Sequence, residues 1–274
     1  MAEVIAISDL SDPRLEPYRA IRDRDLRGPD GHRGRFIGET PLVVEKMLAM
    51  PGVTESVLVR DTLVERIHRM VNDETPVYTI PESMMQEIVG YAIHRGVLAA
   101  GRRDSFDART PDDLLPEGEA QPCTLLLLES IGNIDNIGML FRNAAAFAVD
   151  GVLLSPDCHD PLYRKSLRVS IGHALTLPWA RSADWRDDLD RLRTEHGFTL
   201  VGTGIVAGSV PVDHVEPPAR VAIIVGNEFD GVSAATSACC DHRVRIPMAP
   251  GVDSLNVAVA AAVCLHRFSR GQRV

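Results

Sequence analysis

The 274-residue sequence lacks several features that would assign a chain to a class. No window is apolar over the length of a bilayer span, and Met1-Ala2-Glu3-Val4 is not followed by the basic and apolar segments of a secretory leader. Its five cysteines are odd in number and have no metal-ligand spacing, so neither a disulfide framework nor a zinc site is predicted. These absences indicate a cytoplasmic protein with reduced thiols, no metal and no membrane partner.

Lysine is also scarce, because Lys46 and Lys165 are the only two in a chain of formal net charge −9. A net acidic surface repels backbone phosphates, which counts against a protein that coats nucleic acid non-specifically. The positive charge that is present is almost all arginine, the side chain that pairs bidentately with phosphate. Composition alone leaves an RNA partner and a genomic preference for arginine equally open.

Residues 104–122 are rich in acids and proline and predict an exposed linker between two α/β domains. In the first domain, residues 36–103, helices and strands alternate: helices at Pro41–Met50, Asp61–Val71 and Glu82–Tyr91, and strands at Ser56–Arg60, Pro76–Ile80 and Val97–Ala100. Residues 1–35 are predicted to be an N-terminal arm, either a solvated charge-balanced segment or an arm that grips RNA. It carries seven arginines: Arg14, Arg19, Arg22, Arg24, Arg27, Arg33 and Arg35.

The second domain, residues 123–274, contains strands too apolar to be half-exposed, which predicts a parallel sheet covered by helices. The strands are Thr124–Leu128, Val152–Leu154, Thr199–Val201, Val221–Val225 and Val244–Ile246, and the helices lie near Met139–Ala148, Trp185–His196, Ala234–Cys240 and Leu255–Phe268. In such folds ligands bind at the carboxyl ends of the strands. Functional residues are therefore expected in the loops that follow these strands.

Three motifs lie at such strand ends: Asn136-x-Gly-x-x-x-Arg142, Gly226-x-Glu228-x-x-Gly231, and Ile246-Pro-Met248 followed by Ser254-Leu-Asn256. Each has an ordinary explanation when taken alone, as a helix cap at Asn136 or Ser254 or as a glycine-rich turn. The alanine and valine run after Asn256 predicts core packing. Neither a dinucleotide fingerprint nor a phosphate-loop pattern is present, which disfavours a dehydrogenase or nucleotidase.

Taken together and in order, the three motifs resemble those of the SpoU (TrmH) family of RNA methyltransferases from Cys123 to about Phe268. Residues 168–178 resemble its serine-glycine helix and the strand after it, and residues 36–103 are more weakly similar to its small RNA-binding domain. The resemblance implies a trefoil-knotted parallel sheet, an exception to unknotted folding, in a homodimer paired through knot-domain helices. It implies methyl transfer from S-adenosyl-L-methionine to a ribose 2'-hydroxyl of structured RNA, with ribosomal RNA slightly favoured over transfer RNA.

By motif match, the residues expected at the cofactor are Thr203, Gly204, Gly226, Ile246, Met248 and Leu255. The expected catalytic residues are Asn136, Arg142, Glu228, Ser254 and Asn256. Arg142 is interpreted as an electrostatic clamp on a phosphate or the developing alkoxide, because a guanidinium does not deprotonate in proteins. Glu228 and Asn256 are expected to orient Arg142 and the ribose, and Ser254 to bond the reacting oxygen. A phosphate or water would accept the proton.

The sequence departs from the family pattern twice. Asn133-Ile134-Asp135 stands where Asp-Pro is usual, which predicts a changed loop into the site, and Phe229 follows the motif glutamate, where it would narrow the pocket or stack on a base. Three alternatives stay open: a knotted enzyme that methylates a base nitrogen, a non-catalytic RNA-binding homologue, and a generic α/β metabolic enzyme.

Overall fold

The structure, a computed structural model, describes residues 3–19, 34–71, 74–90, 96–116, 121–252 and 254–269. The strands are β1 (Val4–Ala6), β2 (Arg35–Glu39), β3 (Thr54–Arg60), β4 (Val77–Ile80), β5 (Val97–Arg102), β6 (Cys123–Leu128), β7 (Gly151–Leu154), β8 (Trp179–Arg181), β9 (Thr199–Thr203), β10 (Val210–Pro211), β11 (Arg220–Val225) and β12 (His242–Arg245). The α-helices are α1 (Pro41–Leu48), α2 (Val64–His68), α3 (Glu82–Val89), α4 (Asp104–Asp107), α5 (Ile134–Ala146), α6 (Arg164–Val169), α7 (His173–Thr176), α8 (Trp185–Thr194), α9 (Ala234–Cys239) and α10 (Val257–Phe268).

The chain forms two compact units, Met1–Ser105 with Leu162–Thr176, and Phe106–Pro161 with Leu177–Val274. The first unit has a five-stranded sheet of order β1-β4-β3-β5-β2, in which β5 is antiparallel to both of its neighbours. The second has a seven-stranded parallel sheet. The predicted α/β class with a mostly parallel sheet is confirmed. Within the described ranges, no helix is both long and apolar enough to cross a membrane.

The segment predicted to be an N-terminal arm contributes to the sheet and core of the first unit. β1 pairs in parallel with β4, and the 3₁₀ helix Pro13–Tyr18 buries Leu15 and Tyr18 completely. The Tyr18 hydroxyl lies 2.7 Å from Ser56 Oγ. The high arginine content obscured these apolar residues. Arg22, Arg24, Arg27 and Arg33 lie outside the described residues.

The boundaries of the second domain also differ from the prediction. Phe106 and Leu114, in the segment predicted to be a linker, are buried in the second unit, where Phe106 stacks on Trp179 at 6.3 Å between ring centroids. Residues 162–176 group with the first unit instead of the second, because Arg164 on α6 pairs with the buried Glu39 of β2. These contacts join segments that are distant in the sequence. The acidic composition of residues 104–122 and the order of the motifs are local properties of the sequence, so they do not reveal such contacts.

The order of the parallel strands, β10-β12-β9-β11-β6-β7-β8, positions the site. All five predicted strands are present, as is a strand after Pro178; β10 was missed because two residues carry no apolar pattern. β12, β9, β11 and β6 are consecutive neighbours that run in the same direction, so the loops that leave their carboxyl ends emerge side by side. These loops begin at Ile246, Gly204, Gly226 and Glu129.

Candidate active site

Three of these loops, together with α10, enclose a cavity of about 290 Å³ in the second unit. It is lined by all six residues predicted at the cofactor, and by Glu228 and Ser254 among those predicted to be catalytic. Its remaining walls are largely apolar, from side chains such as Val206, Val244 and Val257. A mostly apolar cleft with a few polar groups is the usual form of a small-molecule site.

Asn136 joins the three motifs beside this cavity. Helix α5 begins early because Asn133, at the family's Asp-Pro position, caps it by accepting from the backbone amides of Asp135 (2.9 Å) and Asn136 (3.2 Å). Asn136 is therefore inside the first turn and only 4% exposed. Its Nδ2 donates to Glu228 Oε1, and its Oδ1 accepts from Asn256 Nδ2 at 2.9 Å.

Asn256 can bond Asn136 in only one orientation, because its own oxygen is already used. Asn256 Oδ1 caps α10 by accepting from the amides of Ala258 (2.9 Å) and Val259 (3.3 Å), which leaves Nδ2 to face Asn136. Asn133 therefore caps α5 and Asn256 caps α10. The sequence alone suggests Asn136 and Ser254 as the caps. Ser254 is exposed at the cavity.

The loop Gly226–Gly231 is closed by hydrogen bonds between its own residues. Asn227 Oδ1 accepts from the amides of Phe229 and Asp230, both at 2.8 Å, and Gly231 N donates to Asn227 O at 3.0 Å. This turn brings the chain back so closely that a Cβ on Gly226 would lie 1.9 Å from Gly231 O. Glycine at 226 is therefore required by the return of the chain.

The far end of this loop is held by Glu129, a residue that motif analysis missed. Glu129 follows β6, is 6% exposed, and accepts from Ser233 N (2.9 Å), Ser233 Oγ (2.7 Å) and Thr236 Oγ1 (2.6 Å). Trp185 Nε1 donates to Thr236 Oγ1 at 3.0 Å. A lone acid directly after a wholly apolar strand was the available signal.

Glu129→Ala should lower the free energy of unfolding by about 2 kcal/mol or more, because it removes the charged acceptor of three donors, of which the Thr236 hydroxyl is buried. Denaturant unfolding of both proteins, monitored by tryptophan fluorescence, measures the change. Glu195→Ala is the control: Glu195 makes an exposed pair with Arg191 at 3.6 Å, for which a loss of about 1 kcal/mol or less is expected. Equal losses in the two variants would show that Glu129 does not anchor the loop.

Arg142 is the predicted catalytic residue that the structure does not bring to the others. It is exposed, is not part of the cavity wall, and has no hydrogen-bond or ion-pair partner among the residues that the structure describes. α5 begins at Ile134, not near Met139 as predicted. Six residues of helix place Arg142 about 120° around the axis and about 9 Å along it from Asn136. The expected contacts with Glu228 and Asn256 are therefore not made within the chain.

The alanine and valine run packs in the core as predicted, through Ala258 and Ala261, but part of it also forms the cavity wall. Val257, Ala260 and Cys264 share one face of α10 and line the cavity. Burial raises the pKa of the Cys264 thiol to about 12, so this surface is uncharged at neutral pH. Val259 (50%) and Val263 (37%) lie exposed on the same helix.

These features define an α/β protein with a small-molecule site at the carboxyl ends of a parallel sheet. The family model described as SpoU rRNA Methylase matches residues 124–266, just over half of the chain, and the chain belongs to this family. The chain is 37% identical over 278 residues to a Mycobacterium tuberculosis protein described as an uncharacterized tRNA/rRNA methyltransferase, across 98% of this chain and 92% of that one. A Mycobacterium marinum protein of the same description is 26% identical over 273 residues, with 95% and 84% covered.

Two solved structures show the same fold over almost the whole chain. An rRNA methyltransferase from Sinorhizobium meliloti superposes with a TM-score of 0.78 at 22% identity and covers 97% of each chain. The SpoU methyltransferase AviRb from Streptomyces viridochromogenes gives 0.74 at 23% identity, with 93% of this chain and 96% of that one covered. By family membership, the protein is an RNA methyltransferase that uses S-adenosylmethionine.

Proposed function

We propose that the protein methylates a ribose 2'-hydroxyl in structured RNA, ribosomal RNA in preference to transfer RNA. The observation that carries this proposal is the Asn136 network, which gathers Glu228 and Asn256 beside a cavity edged by the exposed Ser254 hydroxyl. Amide and hydroxyl groups of this kind suit a neutral sugar hydroxyl as acceptor. A similar solved structure, 24% identical with a TM-score of 0.73, is described as an RNA 2'-O ribose methyltransferase.

The residues of the cavity fit the cofactor. Backbone groups at Gly226, Ile246 and Leu255 offer donors and acceptors to an adenine, and Met248 adds an apolar wall. Thr203 and Gly204 form the neighbouring edge; the Thr203 hydroxyl donates to Ile224 O at 3.0 Å and keeps its lone pairs free to accept. When bound, S-adenosylmethionine would supply a methyl group from its sulfonium, and the rest of the cofactor would leave as a neutral thioether.

The side chains act on the acceptor. Ser254 bonds the reacting ribose oxygen, and the Asn136–Glu228–Asn256 network holds the ribose in line for attack. Because a ribose hydroxyl is almost fully protonated at neutral pH, its oxygen must lose the proton as it gains the methyl group. The proton passes to a phosphate or to water. Arg142 clamps a phosphate or the developing alkoxide by charge alone, since its guanidinium keeps its protons.

The position of Arg142 favours a homodimer with composite sites. Arg142 on α5 is exposed and unpaired among the described residues, and Asn143 on the same helix bonds Ala258 O of α10 at 2.7 Å. Since Val259 and Val263 on α10 leave apolar surface uncovered, we propose that α5 and α10 pair with those of a second copy. Arg142 would then reach the cavity of that copy.

The domain roles follow from family membership and are part of the same proposal. The first unit docks structured RNA, and the second unit carries the trefoil knot, with the loop that follows β12 threaded beside the loops at 203–206 and 226–231. Support comes from the cavity, because residues of all three segments line it together. The docking domain also makes a small-molecule metabolic enzyme the weaker reading.

The test is incubation of the purified protein with labelled S-adenosylmethionine and total RNA from a strain that lacks its gene, followed by nucleoside mass spectrometry. A gain of one 2'-O-methylated nucleoside in rRNA is expected. A methylated base would replace the proposal by the base-methylating alternative. Cofactor binding without transfer to any RNA would favour the non-catalytic homologue.

A further inference from the structure

The side chain of Phe229 is almost fully exposed to solvent. Its relative exposure is 93%, the highest among the large apolar side chains that the structure describes, yet it lies in the wall of the cavity. Ile205 (57%) and Leu255 (42%) are also exposed on this wall. Exposed apolar surface at the rim of a ligand cavity marks an interaction site more often than isolated surface residues do.

The backbone that carries the ring is already ordered. Asn227 Oδ1 holds the amides of Phe229 and Asp230, and Gly231 N closes the turn onto Asn227 O. A phenylalanine has only two side-chain torsions, so a partner that covers the ring costs little conformational entropy. The loop therefore presents a flat apolar surface in a preset place.

The charges around the ring select the kind of partner. Glu228 and Asp230 flank Phe229 and are exposed, so they repel a phosphate that approaches the ring. A nucleobase carries no charge, and every base has a face that stacks on an aromatic ring. Since Glu228 is bonded to Asn136, the ring lies one residue from the network proposed to hold the ribose.

We propose that Phe229 is the stacking platform for an unpaired base of the RNA, either that of the methylated nucleotide or its neighbour. This inference rests on the proposed function and deepens it, because it assigns the base its own subsite beside the ribose. Unpaired loops and bulges are the parts of structured RNA whose bases can leave the stack to meet an aromatic side chain. Phe229 thereby selects for a splayed nucleotide whatever its sequence.

The experiment compares Phe229→Ala, Phe229→Leu and Phe229→Trp with the wild type. Binding of a short fluorescein-labelled single-stranded RNA of mixed sequence is followed by anisotropy at several salt concentrations, and cofactor affinity by calorimetry. The alanine and leucine variants should bind this RNA roughly 10-fold more weakly, and tryptophan should restore binding. The salt dependence of log K should stay unchanged, because stacking releases no counterions.

Several results would overturn the inference. If the leucine variant binds RNA like the wild type, the ring makes apolar contact without stacking. A changed cofactor affinity would mean that the ring contacts the cofactor instead of a base. A lower oligomeric state of Phe229→Ala in size-exclusion chromatography would mean that a second copy covers the ring. Failure of the wild type to bind the RNA would also overturn it. If the wild type binds RNA but transfers no methyl group, the proposed function fails while the binding series still decides the role of Phe229.

Discussion

Arg142→Ala should reduce methyl transfer to RNA by about 100- to 1,000-fold, the usual effect of losing one charge-stabilising group at a reacting centre. Cofactor affinity should be nearly unchanged, because Arg142 does not line the cavity of its own chain and is proposed to face the acceptor RNA instead of the cofactor. A single-turnover assay with labelled S-adenosylmethionine measures the first quantity, and calorimetry the second. Arg243→Ala is the matched control, because Arg243 is also exposed and unpaired among the described residues of the second unit. A fully active Arg142→Ala enzyme would remove Arg142 from the mechanism.

The same variant tests whether Arg142 serves a partner subunit. Mixed dimers of Arg142→Ala and Glu228→Ala chains contain one complete site if each Arg142 acts across the interface, and none if it acts within its own chain. The composite arrangement therefore predicts recovery of about half of the wild-type activity in purified mixed dimers, and about a quarter after random mixing of the two chains. Activity no greater than the sum of the two variants would place Arg142 in its own subunit's site.

Gly226→Val should weaken S-adenosylmethionine binding by roughly 100-fold, because a side chain there clashes with the returning backbone and distorts the loop. A Cβ at 226 would lie 1.9 Å from Gly231 O and 2.3 Å from Val232 N. Relief requires the loop to move, yet Glu129 holds its far end through Ser233. The loop that walls the cavity would therefore change shape.

Calorimetry with S-adenosylmethionine measures this loss, and circular dichroism checks that the variant is folded. Gly132→Val is the matched control, because a Cβ on Gly132 would meet nothing within 4 Å. Its affinity should equal that of the wild type. If Gly226→Val also binds normally, the cavity is not the cofactor site.

The sequence by itself determined the fold class, the strands of the parallel sheet except the two-residue β10, and the three motifs at their ends. It could do so because wholly apolar runs such as Leu125–Leu128 and Val221–Val225 are stable only inside a sheet covered on both faces. The carboxyl ends of such strands then fall at one edge by geometry alone. Thr203 and Leu255, which the resemblance to the SpoU family predicts at the cofactor, line the same cavity at this edge.

What only the tertiary structure decided depends on contacts between residues far apart in the chain. The sequence offers Asn136 and Ser254 as helix caps, and only the hydrogen bonds of Asn133 and Asn256 show that these two residues cap the helices instead. Glu129 likewise shows its role only when Ser233 and Thr236 lie against it. The position of Arg142 follows from where α5 begins, which is decided by the Asn133 side chain, not by apolar periodicity. Local sequence patterns determine which residues of a helix or strand are buried and which are exposed. The helix caps, the Glu129 anchor and the exposed Phe229 ring depend on how distant segments pack together.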